Sequence, residues 1–355
     1  MQFGCYVQVG KEELEKIDDI DLVLGNNEKN NIVEYVENFE QSKVNVSDVM
    51  RQRNFKDFGS VTYSDKTRAV IKIQDGCDRF CTYCIVPFAR GRVRSRSIES
   101  IVDEVTILAN KGVKEVIITG IHVVFYGKDL NYEVKLIDVL EAVNKVEGIE
   151  RIRLGSLEPT VMTDEFFKRL SKLNKICHHF HMSLQSGCTT VLERMNRKYT
   201  ADEFMEGINL IRKYYPDSLF TADVIVGFPG ETDEEFMETY RFLEKVNFYR
   251  LHVFKYSPRR NTKAAIMPNQ VDGSIKDYRS DELLKLSNKC QNEFNNSYIG
   301  KKLDVLFEEK NGKYYVGHSD NFIHVKVETD IELENKISSV KIIGIEDGDL
   351  IGELI

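Results

Sequence analysis

Residues 74–96 read QDGCDRFCTYCIVPFARGRVRSR, and this stretch decides how the rest of the chain is interpreted. Cys77, Cys81 and Cys84 have the spacing C-x3-C-x2-C, so one short loop can bring three thiolates to one metal centre. Thiolate is a soft ligand that suits iron–sulfur clusters and zinc. Three ligands leave one metal position open, whereas four close a structural site. The alternatives are three unrelated thiols, or a zinc knuckle whose fourth ligand lies elsewhere.

Strand-like and helix-like segments alternate around this loop, between residues 66 and 275. Helical spacing is clear in residues 97–112, 135–146 and 234–246. Six runs predict strands: AVIKIQ (69–74), EVIITG (115–120), RIRLGS (151–156), HFHMSL (179–184), TADVIVGF (221–228) and RLHVF (250–254). These repeats predict an α/β fold in which a parallel sheet curls into a partial (β/α)6 TIM-like barrel. Sites in such folds lie at the carboxyl ends of the strands, and the cysteine loop follows the first strand.

Small or polar residues follow the other predicted strands and are candidates for ligand contact. A glycine allows close backbone approach, a carboxylate accepts hydrogen bonds from hydroxyl or ammonium groups, and a guanidinium suits a carboxylate. The candidates are Gly120 and His122 after the second strand, Glu158 after the third, Ser183 and Gln185 after the fourth, and Arg194 and Arg197 near the following helix. Ordinary strand-end polarity and surface ion pairing are the competing interpretations.

The cysteine loop resembles the cluster-binding loop of the radical S-adenosylmethionine (SAM) enzymes, which carry an aromatic residue before the third cysteine, as Tyr83 does here. The longer string CTYCIVPFARGRVRSR looks like the methylthiotransferase branch of that family. The resemblance implies that Cys77, Cys81 and Cys84 bind a [4Fe–4S] cluster whose fourth iron is chelated by SAM. It also implies a SAM site at the strand ends, for which we expect Tyr83, Gly120, Glu158, Ser183, Gln185 and Arg194.

Residues 1–62 predict a partial N-terminal α/β domain, because GCYVQV, DLVLG and NNIVEYVENF give only about two strand–helix units. Cys5 matches the third cysteine of the family's N-terminal domain, where three cysteines hold an auxiliary [4Fe–4S] cluster. The other two normally lie upstream, so we expect a truncated N terminus and an incomplete second cluster. Taken alone, Cys5 is also consistent with a small buried apolar residue. Residues 44–65 are a plausible linker.

The pattern changes after residue 275, and we place the domains at 1–62, 63–275 and 276–355. A connecting helix ending near Gly300 precedes short β-rich runs, KLDVLFEE, KYYVGHS, FIHVKVE and SSVKIIGI, separated by turn signals. These predict a small antiparallel β-barrel, and its position resembles the TRAM domain that ends methylthiotransferases and helps bind tRNA. Its aromatic residues Tyr314, Tyr315 and Phe322 are candidates for RNA contact or for the barrel core.

Arginines recur at every second position beside the cysteine loop, at Arg90, Arg92, Arg94 and Arg96. In an extended segment they form one basic row, which suits RNA phosphates. The alternatives are a solvated basic loop, or arginines committed to SAM and to internal ion pairs. The formal net charge of −8 argues against a generally basic nucleic-acid binder but not against a local basic patch.

Composition indicates a cytoplasmic protein. Seven cysteines without an export signal favour a reducing compartment, and the apolar runs are too short to span a bilayer. Cys177 and Cys188 flank the fourth strand near three histidines, but strand alternation puts His179 and His181 on one face and His178 on the other. We therefore predict core or surface roles for this group.

The strings TGIH…YGKD and RLGSLEP look most like the methylthiotransferases that modify threonylcarbamoyladenosine in tRNA. The resemblance implies addition of a methylthio group to C2 of that adenine, with the tRNA anticodon stem-loop and a cellular electron donor as partners. Three alternatives stay open: isopentenyladenosine in tRNA, an aspartate of a ribosomal protein, and an RNA-binding remnant without activity.

Overall fold

The computed structural model describes residues 1–38, 43–57 and 67–355. Within the first two ranges, short strands form a parallel sheet in the order β1-β2-β3. The elements are β1 (Gln2–Phe3), α1 (Cys5–Leu14), β2 (Val23–Leu24), α2 (Ile32–Glu37) and β3 (Val44–Asn45). The predicted partial α/β unit is confirmed. The predicted linker is wrong at its start, because Val44 and Asn45 form β3 and pair with β2. Its end, and with it the proposed boundary at residue 62, lies outside the described residues.

The central region contains all six predicted long strands. Its strands are β4 (Arg68–Asp75), β5 (Arg94–Ser95), β6 (Glu115–Gly120), β7 (Arg151–Leu154), β8 (His179–Gln185), β9 (Leu219–Val226) and β10 (Arg250–Lys255). They form two sheets, β5-β4-β6-β7 and β8-β9-β10. Parallel bridges from Ile152 to Ile176 and from Leu157 to Met182 join the sheets into one curved wall. The partial (β/α)6 barrel is confirmed.

Helices connect these strands, and the longer of them pack on the outside of the wall. They are α3 (Val86–Arg90), α4 (Ile98–Asn110), α5 (Leu136–Asn144), α6 (Asp164–Leu170), α7 (Thr189–Arg194), α8 (Ala201–Tyr214) and α9 (Asp233–Val246). Hydroxyl side chains start four of them: Ser97, Thr163, Thr200 and Thr232 each accept a hydrogen bond from a backbone N–H of the first turn. Such caps satisfy donors that a helix start otherwise leaves unpaired.

Alternation along β8 shows how the strands divide the core from the inside of the barrel. Phe180, Met182 and Leu184 are fully buried among the helices. His181 and Ser183 point to the opposite face, which lines the inside of the curved wall, because successive side chains of a strand alternate. Polar residues inside the wall are therefore placed by the same pattern that builds the core.

The C-terminal region, described in full, begins with a long helix and ends in a closed barrel of order β11-β12-β13-β15-β14. Its elements are α10 (Gly273–Tyr298), β11 (Lys302–Asn311), β12 (Tyr314–Ser319), β13 (His324–Glu328), β14 (Ile337–Glu346) and β15 (Asp349–Leu354). The predicted barrel is confirmed, but it is not wholly antiparallel, because β13 and β15 pair in parallel. The helix starts earlier than expected because Asp272 caps it, accepting a hydrogen bond from the Ser274 N–H.

Arginines at the start of β7 attach this C-terminal barrel to the amino-terminal end of the central strands. Arg151 donates hydrogen bonds to the carbonyl oxygens of His318 (2.9 Å) and Asp304 (2.8 Å). Arg153 donates to the carbonyl oxygen of Asp320 at 3.0 Å. The C-terminal barrel therefore lies at the end of the central wall opposite to the cysteine loop.

Buried charge and stacked rings reinforce the same joint. Arg153 and Glu115 are buried and form a two-pronged ion pair, with N···O distances of 2.7 and 3.2 Å. The Phe322 ring stacks on His179, with 4.6 Å between centroids, and lies 4.9 Å from the Arg153 guanidinium. Tyr315 is buried in the core of the C-terminal barrel, so two of the three predicted aromatic residues serve packing.

Within the described residues, no helix combines the length and the apolar character needed to cross a bilayer.

We predict that Arg153→Met lowers the free energy of unfolding by about 3–5 kcal/mol, because it leaves the Glu115 carboxylate buried and unpaired. Chemical denaturation followed by circular dichroism measures the change. Arg169→Met is the matched control: Arg169 pairs with Asp138 and Glu141 at the surface, where a pair contributes less than about 1 kcal/mol. Equal losses in the two variants would contradict the assignment.

Candidate active site

The three cysteines of the loop lie between β4 and α3, at the carboxyl end of the central strands. Cys77 and Cys81 are buried and Cys84 is half-buried. Gly76 starts the loop with φ +70°, and a Cβ at this position would lie 1.9 Å from the carbonyl oxygen of Arg92. Only glycine fits this close approach. The Cys77 N–H then donates to the Gly91 carbonyl at 3.0 Å, which ties the loop entrance to the segment after α3.

The far side of the loop is held by the segment that follows α7. The Thr82 N–H donates to the Met195 carbonyl (3.0 Å), and the Thr82 hydroxyl donates to the Arg194 carbonyl (2.9 Å). Asn196 donates through its side-chain amide to the Phe80 carbonyl at 3.0 Å. Phe80 itself has φ +51°, a rare conformation for a bulky residue, which these bonds help to hold. The loop is thus fixed by backbone contacts on both sides.

Glu158 stands at the centre of an ion-pair cluster behind the loop, and it is 1% exposed. One carboxylate oxygen pairs with Arg79, inside the cysteine loop, and accepts from His122 Nε2 at 2.6 Å. The other pairs with Arg197 at 2.7 Å. Burial alone raises the pKa of Glu158, but the His122 hydrogen bond and the Arg197 and Arg79 charges outweigh it and bring the pKa to about 2. The carboxylate is therefore charged at neutral pH.

Arg197 connects this cluster to the cysteines. Its Nη1 lies 3.4 Å from the Cys81 sulfur, while Nη2 also donates to the Ser183 carbonyl at 3.0 Å. Its Nε donates to the Tyr199 hydroxyl at 2.9 Å. A buried cation beside a metal-bound thiolate offsets part of the negative charge of that ligand. Arg197 therefore holds positive charge at the place where thiolate ligands are needed.

The donor set fits a metal cluster of the iron–sulfur type. Burial raises the pKa of Cys77 to about 12, and burial also raises the pKa of Cys84. Such thiols lose their protons when a metal takes the proton's place. The Arg79 N–H points at the Cys77 sulfur at 3.4 Å, a contact that stabilises a thiolate ligand. Three soft donors on one buried, rigid loop can hold a [4Fe–4S] cluster and leave one iron open.

Two predicted SAM contacts, Gly120 and Tyr83, have structural partners. A Cβ on Gly120 would approach the Gln74 carbonyl oxygen to 2.8 Å, so the glycine allows β6 to pack against Gln74. Gln74 is fully buried and accepts a hydrogen bond from the His122 N–H at 2.8 Å. Tyr83 packs against a small apolar cluster that includes Phe228. Direct contact of Gly120 and Tyr83 with SAM stays a prediction.

Ser183 and Gln185 lie at the carboxyl end of β8, on the same face of that strand. Gln185 has φ +70° where the register with β9 shifts, so the strand ends in a local irregularity there. Arg194 instead forms a two-pronged ion pair with Glu235, at 2.8 and 2.6 Å, and its pKa is raised by that hydrogen-bonded pair. The Arg194 guanidinium is therefore occupied by Glu235, whereas the backbone carbonyl of Arg194 helps to position the cysteine loop.

The prediction of one exposed basic row is wrong for Arg94 and Arg96, which are buried. The reason is that β5 pairs antiparallel with the end of β4 and turns both guanidinium groups inward. Arg94 lies 3.4 Å from an Asp75 oxygen, and Arg96 pairs with Glu104 on α4. The sequence alone does not indicate that Asp75 and Glu104 pair with these arginines.

The other two arginines of the row differ from each other. Arg90 ends α3 and donates to Asp75 at 3.1 Å, and it is half-buried. Arg92 is exposed, with its guanidinium 4.8 Å from the Phe80 ring and 3.3 Å from an Asp78 oxygen. Of the four arginines, Arg92 therefore presents its charge to solvent.

Cys5 is exposed and starts α1, which packs against α3. The Asn26 side-chain amide lies 3.6 Å from the Cys5 sulfur and donates to the Ala89 carbonyl of α3 at 2.5 Å. Arg90 Nη1 reaches the Asn26 side-chain oxygen at 3.4 Å. The contacts place Cys5 on the side of the central wall that carries the cysteine loop.

Sequence reasoning missed Arg79 and Gln74 as parts of the site. Arg79 lies between the first two cysteines, so its place in the loop was the available signal, but its partner Glu158 is 79 positions away. Gln74 is the last residue of the first predicted strand, and nothing in its sequence context indicates a role in the site. Only the fold shows that its side-chain amide accepts a hydrogen bond from the His122 N–H and donates one to the Gly76 carbonyl at the start of the loop.

Comparisons with known proteins place this geometry in a family context. The sequence model of the radical SAM superfamily matches residues 71–243. The chain is 40% identical over 351 residues to the threonylcarbamoyladenosine tRNA methylthiotransferase MtaB of Bacillus subtilis (strain 168), covering 96% of this chain and 77% of the relative. It is 35% identical over 358 residues to the tRNA-2-methylthio-N(6)-dimethylallyladenosine synthase of Finegoldia magna, covering 99% of this chain and 78% of the relative.

A third relative is named for a protein substrate. It is the ribosomal protein uS12 methylthiotransferase RimO of Clostridium perfringens, 39% identical over 337 residues, with coverage of 91% of this chain and 75% of the relative. Among solved structures, coproporphyrinogen III oxidase of Escherichia coli, a radical SAM enzyme, aligns with a TM-score of 0.48 and 14% identity. That alignment covers 73% of this chain and 68% of that chain.

We predict that Glu158 makes stability acid-sensitive. The pKa of Glu158 lies below its usual value, so its contribution is complete above about pH 5 and is lost as the pH falls towards 2, with a total on the order of 3 kcal/mol. Unfolding of the cluster-free chain by denaturant at several pH values measures this. Glu158→Gln should be less stable than the wild type at pH 7, and the difference should shrink towards pH 2.

Glu234→Gln, at an exposed position of α9, is the matched control and should follow the wild-type profile. A difference between Glu158→Gln and the wild type that stays constant from pH 7 to pH 2 would contradict the prediction.

Proposed function

The chain belongs to the radical SAM methylthiotransferase family, and we propose that it adds a methylthio group to C2 of threonylcarbamoyladenosine, next to the anticodon of tRNA. The observation that carries this choice is the 40% identity to MtaB of Bacillus subtilis over 96% of this chain. The strings TGIH…YGKD and RLGSLEP, which surround His122 and Glu158, support the same branch. The uS12 methylthiotransferase, at 39% identity, makes a ribosomal protein the second candidate substrate.

Cys77, Cys81 and Cys84 would hold the [4Fe–4S] cluster that the family implies. When bound, the cluster would supply the electron that cleaves SAM and so starts hydrogen abstraction. A cellular electron donor must then reduce the cluster again. Arg197 keeps positive charge at Cys81, and Arg79 donates its backbone N–H to Cys77. Buried hydrogen-bond donors of this kind tune the electronics of a cluster and limit solvent access.

SAM would lie across the carboxyl end of the strands, between the cysteine loop and the ends of β6 and β8. Gly120, Ser183 and Gln185 line this side and can offer backbone or neutral side-chain hydrogen bonds. Glu158 is engaged by three cationic or imidazole partners, so we assign it to positioning Arg79 and Arg197. Arg194 would contact the SAM carboxylate only by leaving Glu235.

Cys5 would contribute to a second [4Fe–4S] cluster that takes part in sulfur delivery. Its exposure and its link through Asn26 to α3 support this role, because both bring it near the segment that follows the cysteine loop. One cysteine supplies one ligand of such a cluster, so further ligands would have to join it.

A basic cavity beside the cysteine loop supports tRNA as the ligand. Its volume is about 240 Å³, and its lining includes Lys29, Lys56, Lys72, Arg90 and Arg94 around a single acid, Asp75. Arg94 Nη1 is buried and has no hydrogen-bond partner among the described residues. Burial and neighbouring cations lower the pKa values of Lys72 and Arg94, although Asp75 opposes this. A phosphate in the cavity would relieve this crowding of positive charge.

The product test uses the full chain after anaerobic cluster reconstitution, with SAM, a reductant, inorganic sulfide as the sulfur source and tRNA that carries unmethylthiolated threonylcarbamoyladenosine. We expect nucleoside mass spectrometry to show a methylthio group on that nucleoside. Cys77→Ala, Cys81→Ala and Cys84→Ala should each abolish SAM cleavage and product, because each removes a cluster ligand. Cys290→Ala, which changes a buried cysteine on α10, should retain both.

Two further substrates in the same assay, tRNA with dimethylallyladenosine and the ribosomal protein uS12, decide between branches. Product only on one of these would overturn the substrate assignment. SAM cleavage with about four irons per chain and no product on any substrate would indicate a single cluster and favour the remnant interpretation.

We predict that Arg92→Ala and Lys29→Ala each weaken tRNA binding, because each removes a phosphate contact. The slope of log K against log salt should become shallower by about one in each variant. Filter binding or fluorescence anisotropy at several salt concentrations measures this. Arg241→Ala, at an exposed position of α9 on the outer helix layer, is the control and should keep the wild-type slope. Unchanged slopes in all three variants would remove this face from the RNA interface.

A further inference from the structure

Three side chains on neighbouring strands converge inside the curved wall, away from the cysteines. His181 on β8 lies opposite Thr221 on β9, and Asp223, two residues further along β9, lies opposite His252 on β10. The three side chains therefore share one face of the sheet. One ligand atom from each of His181, Asp223 and His252 lies within 4.8 Å of the other two.

The distances suit ligands of one ion. His181 Nε2 lies 3.2 Å from one Asp223 oxygen, and His252 Nδ1 lies 3.5 Å from the other. The second value is long for a direct hydrogen bond. Nitrogen and oxygen ligands about 2.1 Å from a metal ion lie roughly 3.0–3.4 Å apart in octahedral or tetrahedral arrangements, which is close to both values.

A second layer of contacts orients His181. Its Nδ1 lies 2.8 Å from the Thr221 hydroxyl, which in turn lies 3.0 Å from His179 Nε2. A metal-binding histidine commonly uses its other ring nitrogen in this way, because the bond fixes the ring and the tautomer. The Thr221 contact leaves His181 Nε2 directed at Asp223, as a ligand atom should be.

Charge and access also fit a cation. Asp223 is the acid of the cluster, and its two carboxylate oxygens face His181 and His252 on the neighbouring strands. The side chain of His252 is 45% exposed, on the edge strand β10, while those of Asp223 and His181 are 26% and 19% exposed. An ion can enter from the open edge and keep part of its coordination shell free.

We propose that His181, Asp223 and His252 bind one divalent transition-metal ion of the Zn²⁺, Mn²⁺ or Fe²⁺ class. Two imidazoles and one carboxylate favour these ions over Mg²⁺ and Ca²⁺, which prefer oxygen ligands. Three protein ligands leave open positions for water or for another oxygen donor. None of the three residues belongs to the cysteine loop, and His181 lies four residues before the end of β8.

The test measures zinc in the full chain after cluster reconstitution, equilibration with Zn²⁺ and removal of loosely bound ion. We expect the wild type to hold about one zinc more per chain than His252→Ala or Asp223→Asn, since each substitution removes one of three ligands. His178→Ala is the matched control. His178 also lies beside an aspartate, at 3.7 Å from Asp320, but outside the cluster, so this variant should keep the zinc.

Zinc could also bind to cysteine loops that hold no cluster. The measurement is therefore repeated in the variant Cys77→Ala/Cys81→Ala/Cys84→Ala, which should still hold one zinc per chain. In that variant, Co²⁺ should give visible ligand-field absorption that disappears on adding His252→Ala. Because His252 is half-exposed at a sheet edge, its removal should leave the circular dichroism spectrum unchanged. Equal zinc in His252→Ala and His178→Ala, or no zinc in the wild type, would overturn the proposal.

Discussion

The structure depends on how one buried carboxylate is neutralised. Glu158 is almost completely excluded from solvent, and an unpaired charge in such a place would be strongly destabilising. Arg79 brings the cysteine loop to it, His122 brings the end of β6, and Arg197 brings the segment after α7. Three chain segments that are distant in sequence must therefore meet to pair this carboxylate. The pairing adds to the backbone contacts that hold the cysteine loop on both sides.

The central wall has two ends with different tasks. Its carboxyl end carries the cysteine loop, the ion-pair cluster and the basic cavity, while its amino-terminal end is closed by the C-terminal barrel through Arg151 and Arg153. Tyr314, the aromatic residue of the C-terminal barrel that stays a candidate for RNA contact, and the proposed phosphate contacts of the cavity thus belong to opposite ends of the central wall. An RNA that contacts both ends must run along the outside of the wall, over the length of its strands. Strands of six to eight residues are roughly 20–27 Å long.

Much of the fold was predictable from the sequence, because apolar alternation and helical spacing are local signals. All six long strands, the α4, α5 and α9 helices, and the C-terminal barrel lie where those patterns placed them. The short β5 escaped notice because two residues carry no periodicity, and β15 did so because it follows a turn at the very end of the chain. The three cysteines were predictable because metal ligands on one loop keep a fixed spacing.

The partners of charged residues were not predictable. Arg94 and Arg96 read as a basic row, yet each is captured by an acid that only the fold brings close. Glu158 and Arg194 were candidate SAM contacts, but the carboxylate is surrounded by cations and the guanidinium is paired with Glu235. Such pairings depend on tertiary structure, so residue type and spacing reveal the chemistry of a group but not whether that group is available.

The joint between the central wall and the C-terminal barrel has a consequence for how the two parts can change. Arg151 and Arg153 bind carbonyl oxygens of residues 304, 318, 319 and 320, and every amino acid supplies a carbonyl. This part of the attachment depends on the path of the barrel's backbone and does not depend on most of the barrel's side chains. The barrel surface can therefore diverge while the docking is kept, and a barrel from another protein with the same backbone path is a candidate for exchange at this position.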